Sequence, residues 1–251
     1  IQNEPNYATS GYPSMFMPAS AQQTFVRDYL GPAFKKAGLE TRILILDHNW
    51  DIVDYPIEVL SDPAAAAYVD GVAFHCYGGD VSAQAQFHER FPQVGIWFTE
   101  CSGGQWAQGF GSNLSWMTRN LVIDNYRYWG KSTILWNLAL DENAGPQNGG
   151  FNKCRGVVTM NQNNGEITNN EEFYNLRHVT KIVDPGAYRL ASGPSDYRLP
   201  RQLAFLNPDG SLVLIVQADS PVDFTVTWQG KTFSYQLPSA GVVTFKWNIM
   251  H

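Results

Sequence analysis

Short apolar runs alternate with longer stretches of helical character over the first 150 residues. Four runs, at residues 42–47, 71–75, 95–100 and 132–137, are apolar on both faces. Continuous apolar runs of this length are typical of parallel strands that are buried on both sides. The alternation therefore predicts a parallel sheet whose strands are joined by helical crossovers.

Three stretches between these runs predict helices, because each begins at a side chain that can cap a helix. They extend from Ser20 to about residue 30, from Asp62 to about residue 68, and from Ser112 to Gly130.

The spacing of the runs suits a β/α barrel of the TIM type. The steps from Leu46 to Phe74 and from Phe74 to Phe98 are close to the ~31 residues per unit of a ~250-residue barrel. With residues 1–3 as the tail of one more strand, the chain supplies about five strands, whereas a closed barrel has eight. We therefore expect an upstream segment, a partner chain or dimerisation to cover the open strand edges.

The pattern changes near Val157. Residues 171–183 predict one more helix, with Asn170 ahead of it, acidic residues in its first turn and Pro185 beyond its end. Apolar positions then alternate with a period of two at 224–228, 233–237 and 243–247, which predicts an antiparallel β-sandwich. The chain thus divides into residues 1–156, the C-terminal part of a β/α barrel, and residues 157–251, a linker helix with a β-sandwich domain.

The composition narrows the classes of function. A formal net charge of −6 disfavours nucleic acid or an anionic membrane as a partner, and no apolar run approaches the ~20 residues of a membrane helix. Aromatic residues make up 14% of the chain, which fits a large aromatic core or a site that stacks sugar rings. An odd count of three cysteines argues against a disulfide scaffold, and we expect Cys101 to pack as a small apolar residue. The chain begins at Ile1 with neither Met nor a signal-peptide pattern, which suggests processing or an excerpt.

Polar residues stand where the apolar runs end. Functional residues of β/α barrels cluster at the carboxyl ends of strands, and Glu4 and Glu100 occupy such positions. Two carboxylates that face each other there could act as acid/base and nucleophile in glycoside hydrolysis. Lone acids at strand ends are also common as helix caps or salt-bridge partners, so position alone leaves both interpretations open. A metal site built from Asp47, His48, His75 and Glu100 is a further alternative, but the His-x-His and HExxH spacings are absent and we expect no metal.

Six segments occur in an order that carries more information than any one motif. They are Gln2-Asn3-Glu4-Pro5, Ser10-Gly11-Tyr12-Pro13, Phe74-His75-Cys76-Tyr77, Thr99-Glu100-Cys101-Ser102-Gly103-Gly104, Trp136-Asn137-Leu138-Ala139-Leu140 and Asn152-Lys153-Cys154-Arg155-Gly156-Val157. Together they resemble glycoside hydrolase family 30 over nearly the whole chain. The resemblance implies barrel strands 4 to 8 followed by the sandwich, in a glucosylceramidase or β-1,6-glucanase type of enzyme.

The resemblance also implies residue roles. Glu4 is expected to be the general acid/base, with a raised pKa, and Glu100 the nucleophile, kept ionised by a hydrogen bond from Tyr77. The expected substrate-binding residues are Asn3, His75, Tyr77, Trp136 and Asn152. Cys76 stands where glucosylceramidases carry a Trp, which puts their aglycone contacts in doubt.

The implied reaction is a double displacement with retention on a β-linked glucoside or β-glucan, and it needs neither a cofactor nor a metal. Such an enzyme is expected to be secreted or extracellular. The alternative is a catalytically inactive fragment or a carbohydrate-binding protein, because the barrel is incomplete.

Overall fold

The structure is a computed structural model that describes residues 1–107, 109–193 and 200–248. The last residues of the second predicted domain, 249–251, lie outside this part. The chain forms two compact units. The first comprises Ile1–Cys101, Tyr128–Trp136 and Asn148–Gly150, and the second comprises Ser102–Arg127, Asn137–Gln147 and Phe151–His251.

The first unit contains the β/α alternation. Its elements are α1 (Ala19–Phe25), a π-helical stretch (Val26–Leu30), α2 (Gly31–Ala37), β1 (Leu44–Asn49), a 3-10 turn (Trp50–Ile52), α3 (Asp54–Leu60), α4 (Pro63–Ala66), β2 (Gly71–His75), α5 (Ala83–Arg90) and β3 (Gly95–Glu100). The three strands form a parallel sheet in the order β1-β2-β3, with every residue of β2 buried. The predicted parallel pairing with helical crossovers is confirmed for these three strands.

This parallel sheet carries an extra residue at two positions. Between β1 and β2 the pairing passes from Leu46 to His48 and leaves Asp47 unpaired. Between β2 and β3 it passes from Phe98 to Glu100 and leaves Thr99 unpaired. Each irregularity is a β-bulge, which changes the direction in which nearby side chains point.

Two predicted strands of this unit are not regular strands. Residues 132–137 follow β3 at an irregular spacing: the N–H groups of Lys131, Ile134 and Trp136 donate to the carbonyls of Ile96, Phe98 and Cys101, at 2.9, 3.3 and 2.9 Å. Residues 1–3 lie along β1, where the Ile1 amino group donates to the Leu44 carbonyl at 3.2 Å. The prediction that residues 132–137 are buried on both faces is also wrong, because Ile134 and Trp136 are 51% and 56% exposed.

The second unit holds the remaining elements. They are β4 (Gly103–Gly104), α6 (Phe110–Met117), a π-helical stretch (Thr118–Asp124), α7 (Asn125–Arg127), β5 (Ala139–Asp141), β6 (Cys154–Arg155), β7 (Val158–Met160), β8 (Ile167–Asn169), α8 (Glu171–Thr180), β9 (Tyr188–Leu190), β10 (Arg201–Leu206), β11 (Ser211–Ala218), β12 (Val222–Trp228), β13 (Lys231–Leu237) and β14 (Gly241–Asn248). Helix α8 confirms the helix predicted after Asn170.

Antiparallel strands dominate the C-terminal part of this unit. One sheet has the order β14-β11-β10-β9, and β12 pairs with β13 in a separate hairpin. All eight residues of β11 are buried. The core next to this sheet contains Val122 and Ile123 of the helical segment packed with Leu203, Val213 and Ile215. The three predicted strands are confirmed as β12, β13 and β14, but side-chain exposure alternates with a period of two only along β12.

Helix starts agree less well with the sequence prediction. The Asp62 side chain caps α4 by accepting the Ala64 N–H at 2.8 Å, as predicted. Ser20 and Ser112 instead lie inside α1 and α6, which begin one and two residues earlier without a capping side chain. None of the described helices combines the length and apolarity needed to span a bilayer.

Candidate active site

Three charged side chains of the first unit converge where β2 and β3 end. One oxygen of Glu4, one oxygen of Glu100 and one ring nitrogen of His75 all lie within 4.8 Å of one another. His75 is the last residue of β2 and Glu100 the last of β3, and the two are paired in the sheet register. Parallel strands therefore bring His75 and Glu100 to the same edge, as the sequence predicted, and the segment along β1 adds Glu4.

The backbone holds Glu4 firmly in place. Its N–H donates to the Asp47 carbonyl at 3.0 Å, and its carbonyl accepts from the Tyr7 N–H at 2.9 Å. Its φ of +47° lies in the left-handed region, which costs a non-glycine residue conformational energy. Such strain persists only where the surrounding contacts determine the conformation, and it is most frequent at functional sites.

The Glu4 side chain lies next to two histidines. Its Oε1 atom is 3.3 Å from His75 Nδ1 and 3.6 Å from His48 Nε2. The hydrogen bond with His75 lowers the pKa of Glu4 and outweighs the effect of burial, which raises it. The expectation of a raised pKa for Glu4 is therefore wrong for this structure. The physical reason is that two imidazole rings lie beside the carboxylate and lower its pKa, whereas the expectation rested on burial and negative charge.

His75 is almost fully buried, with a side chain that is 1% exposed. Its Nε2 lies 3.1 Å from Asp47 Oδ1 and its Nδ1 lies 3.3 Å from Glu4 Oε1, so both ring nitrogens face carboxylates. Burial by itself lowers the pKa of His75, but the hydrogen bonds with Asp47 and Glu4 and the charge of Glu100 raise it to about 9. His75 is thus predominantly an imidazolium at neutral pH.

Glu100 has the opposite environment. Burial raises its pKa, and this effect prevails over the nearby positive charge of His75 and the hydrogen bond from the Tyr77 hydroxyl, which is 3.0 Å from Glu100 Oε1. The predicted Tyr77 contact is present. Its effect on the pKa of Glu100 is smaller than the effect of burial, and the expectation that Tyr77 keeps Glu100 ionised stays a prediction.

The other predicted binding residues are exposed. Asn3 and Trp136 belong to the first unit, and the described residues make no hydrogen bond to the Asn3 side chain. Trp136 is 56% exposed, which leaves a large ring accessible. Asn152 belongs to the second unit and is also exposed. The binding roles of these three residues stay predictions.

A disulfide bond joins Cys76 and Cys101, the residues that directly follow His75 and Glu100. The expectation that Cys101 packs as a small apolar residue is wrong. The signal was present in the sequence, because two cysteines that follow neighbouring parallel strands reach the same edge of a sheet. Cys154 is a free thiol, in agreement with the odd count.

Sequence reasoning underestimated Asp47 and missed Thr99. Asp47 was considered only as part of a metal alternative, and Thr99 only as part of a motif. Both residues are the extra residues of the two bulges, and a bulge has no reliable signature in a single sequence. The cluster of Glu4, His75 and Glu100 also has the spacing of a three-ligand metal site, so the absence of a metal stays a prediction.

Comparisons with known proteins identify the family of the chain. The model of the glycosyl hydrolase family 30 TIM-barrel domain matches residues 1–183, and that of the family 30 β-sandwich domain matches residues 186–245. Endo-1,6-beta-D-glucanase neg1 of Aspergillus fumigatus is 33% identical over 98% of this chain and 50% of the relative. Lysosomal acid glucosylceramidase of Mus musculus is 31% identical over 90% of this chain and 46% of the relative.

Solved structures give the same result. The endo-beta1,6-glucanase BT3312 superposes with a TM-score of 0.89 at 32% identity, over 98% of this chain and 57% of that one. SrfJ from Salmonella typhimurium also gives 0.89, at 28% identity, over 100% and 57%. The chain spans about half the length of the curated relatives that it matches, which agrees with a partial barrel followed by a sandwich, as predicted. The chain belongs to glycosyl hydrolase family 30.

Proposed function

We propose that the protein containing this chain is a retaining β-glycoside hydrolase in which Glu4 is the general acid/base and Glu100 the nucleophile. The observation that carries the proposal is the approach of the two carboxylates, whose oxygens lie within 4.8 Å. Retaining glycosidases have carboxyl groups about 5–5.5 Å apart, whereas inverting enzymes leave about 6.5–9.5 Å for a water molecule. The short separation favours retention.

The reaction would take place in two steps. Glu4 donates a proton to the glycosidic oxygen while a Glu100 oxygen attacks the anomeric carbon, which releases the aglycone and forms a glycosyl ester. Glu4, now a carboxylate, then removes a proton from a water molecule that attacks the same carbon and frees Glu100. Proton transfer and covalent catalysis need no cofactor.

The pKa directions affect the first step. It requires protonated Glu4 and ionised Glu100, whereas the structure lowers the pKa of Glu4 and raises that of Glu100. The productive combination is therefore a minor form of a coupled pair. Glu4 becomes protonated as pH falls, so we propose an enzyme that works in the acidic range.

The remaining roles follow the family pattern. Tyr77 would stabilise ionised Glu100, and Asn3 would bind the sugar 2-hydroxyl. His75 and Trp136 would line the sugar pocket, with the exposed Trp136 ring as a stacking surface. Asn152 is likewise proposed to bind sugar. We also propose the division into residues 1–156 and 157–251.

The relatives suggest the substrate class. The printed names of the relatives include endo-1,6-beta-D-glucanases at 33% and 31% identity and a glucosylceramidase at 31%. Cys76 is held in a disulfide where glucosylceramidases carry a Trp. We propose a β-1,6-glucan as the substrate. The disulfide also fits an oxidising compartment, which supports secretion.

Turnover by active-site variants tests the proposal. Glu100→Gln should reduce kcat on β-1,6-glucan by on the order of a thousandfold or more, because no nucleophile remains. Glu4→Ala should be slow on glucan but regain activity on an aryl β-glucoside with azide, because azide attacks the glycosyl ester as an anion and needs no general base. Glucosylceramide serves as the comparison substrate. Full activity of Glu100→Gln would overturn the assignment.

The main alternative is sugar binding without turnover. The observation that favours it is length, since the chain spans about half of its curated relatives. The 251-residue chain should therefore be assayed beside a form extended upstream. Glucan binding without hydrolysis by both forms would favour the alternative, and hydrolysis by either form would contradict it.

A further inference from the structure

The two bulges of the β1-β2-β3 sheet place their extra residues in contact with each other. Asp47 is the extra residue of β1 and Thr99 the extra residue of β3, although β2 lies between these strands. The Thr99 hydroxyl donates to Asp47 Oδ1 at 2.7 Å. Two separate irregularities thus serve one contact, and bulges next to active sites commonly re-aim a side chain in this way.

The chain is also strained at this point. Leu46 and Asp47 have φ values of +66° and +68°, in the left-handed region. Asp tolerates this region better than most residues, whereas Leu seldom adopts it. Strain of this kind costs free energy, persists only where the surrounding structure determines the conformation, and is most frequent at functional sites.

The strained bulge directs Asp47 at His75. Asp47 Oδ1 accepts from Thr99 and lies 3.1 Å from His75 Nε2, while the other ring nitrogen of His75 lies 3.3 Å from Glu4 Oε1. The result is a continuous series of hydrogen bonds from the Thr99 hydroxyl through Asp47 and His75 to Glu4. The described residues make no hydrogen bond to Glu4 Oε2.

We propose that Asp47 is a positioning residue that acts on Glu4 through His75. It keeps His75 doubly protonated, so that Nδ1–H donates to Glu4 Oε1 throughout the reaction and leaves Oε2 to exchange the proton. This inference rests on the proposed role of Glu4 and adds a residue to which the family comparison assigned no role.

The Asp47 carboxylate is needed because it determines where the protons of His75 and Glu4 reside. Without Asp47, a neutral His75 could accept the Glu4 proton at Nδ1, and that proton would point away from the glycosidic oxygen. With Asp47, the imidazolium retains both of its protons. Glu4 Oε2 then gives one proton to the leaving oxygen and later takes one from water, so the Thr99–Asp47–His75 chain ends each cycle unchanged.

The groups around His75 come from every element packed against it. The titratable side chains that face it are Glu4 and Tyr77 of the adjoining segments, Asp47 and His48 of β1, and Glu100 of β3. Of these, Asp47 and Glu4 bond to its ring nitrogens.

Asp47→Asn tests the charge while keeping the shape. We expect kcat/KM to fall by at least about tenfold, because Glu4 is held less well. We also expect the alkaline limb of the pH profile to move to higher pH, because a neutral His75 no longer lowers the pKa of Glu4. A role in folding alone would reduce the yield of active protein without moving that limb. An unchanged kcat/KM and an unmoved limb would overturn the proposal.

Thr99 provides a graded pair of variants. Thr99→Val removes the hydroxyl that fixes Asp47, whereas Thr99→Ser keeps it. We expect a several-fold loss of kcat/KM for Thr99→Val and recovery for Thr99→Ser. Equal activity of the two variants would contradict a role for the hydrogen bond from Thr99 to Asp47. Asp28→Asn, which breaks an exposed ion pair with Arg27, should match the unsubstituted protein.

Nitrogen NMR of His75 tests the proposal without turnover. In the unsubstituted protein both ring nitrogens should carry protons at pH 7, and in Asp47→Asn the ring should become neutral at a lower pH. A neutral His75 at pH 7 in the unsubstituted protein would overturn the role of Asp47 even if the protein hydrolyses glucan. Absence of hydrolysis with the expected NMR result would instead contradict the proposed function.

Discussion

The two main sheets of this protein use a buried central strand in different ways. In the second unit, β11 pairs with β14 over eight successive residues without a break, and with β10 over six. In the first unit, β2 is just as buried, yet its pairing with β1 and with β3 slips by one residue on each side. The slips coincide with Asp47 and Thr99, next to the carboxylates.

The difference shows that a regular ladder restricts the directions in which side chains can point. In a regular strand, successive side chains point to opposite faces, so the strand fills a core efficiently. It cannot turn one particular side chain to the other face. A bulge leaves one residue without a partner in the ladder, which costs some backbone energy, and it changes the direction in which a nearby side chain points. Variants of the regular sheet should therefore change stability, and variants around the bulged ends should change chemistry.

The largest effect on stability is expected in the regular sheet. Ile215 is fully buried among the core residues of β10 and β11. Ile215→Ala should lower the free energy of unfolding by about 2–5 kcal/mol, because it leaves a cavity. Urea denaturation measures this loss, and Thr227→Ala at an exposed position of β12 is the control, expected within about 0.5 kcal/mol. A large change in kcat per folded molecule would contradict the division between the sheets.

The disulfide should affect both stability and chemistry in the first unit. Cys76→Ser opens a loop with a sequence separation of 25, and loop entropy predicts a loss of about 3.5 kcal/mol in the free energy of unfolding. It also frees the strand ends that carry His75 and Glu100, so kcat/KM should fall several-fold at temperatures where the protein stays folded. Cys154→Ser removes the free thiol and should change neither quantity. Unchanged activity of Cys76→Ser would show that the sheet alone holds the two side chains together.

The smallest expected effect is the dependence of kcat/KM on pH. Activity should rise with pH as Glu100 loses its proton and fall as Glu4 loses its own. Burial raises the pKa of Glu100, and the hydrogen bond with His75 lowers that of Glu4, so the profile should be narrow with a maximum below pH 7. Measurement of kcat/KM against pH on β-1,6-glucan tests this expectation. A maximum at pH 8 or above would show that the charges around His75 have been misjudged.

Much of the architecture was predictable from the sequence, because burial has a periodic signature. Continuous apolar runs indicated the parallel strands, and alternation with a period of two indicated the antiparallel ones. Residues 132–137 show the limit of this signal: they lie beside β3 and are bonded to it, yet they form no regular strand. Ile134 and Trp136 in this segment are 51% and 56% exposed, so an apolar run by itself determines neither burial nor the backbone ladder.

The proximity of Glu4 and Glu100 was predictable for a related reason, while their electrostatics were not. Polar residues after apolar runs meet at one edge of a parallel sheet, so Glu4, His75 and Glu100 were expected together. The tertiary structure alone decided that His75 lies between two carboxylates, that Cys76 and Cys101 are joined, and that Asp47 and Thr99 meet across β2. These features depend on atoms brought within about 3 Å by bulges and loop paths, and a pKa responds to such distances rather than to order along the chain.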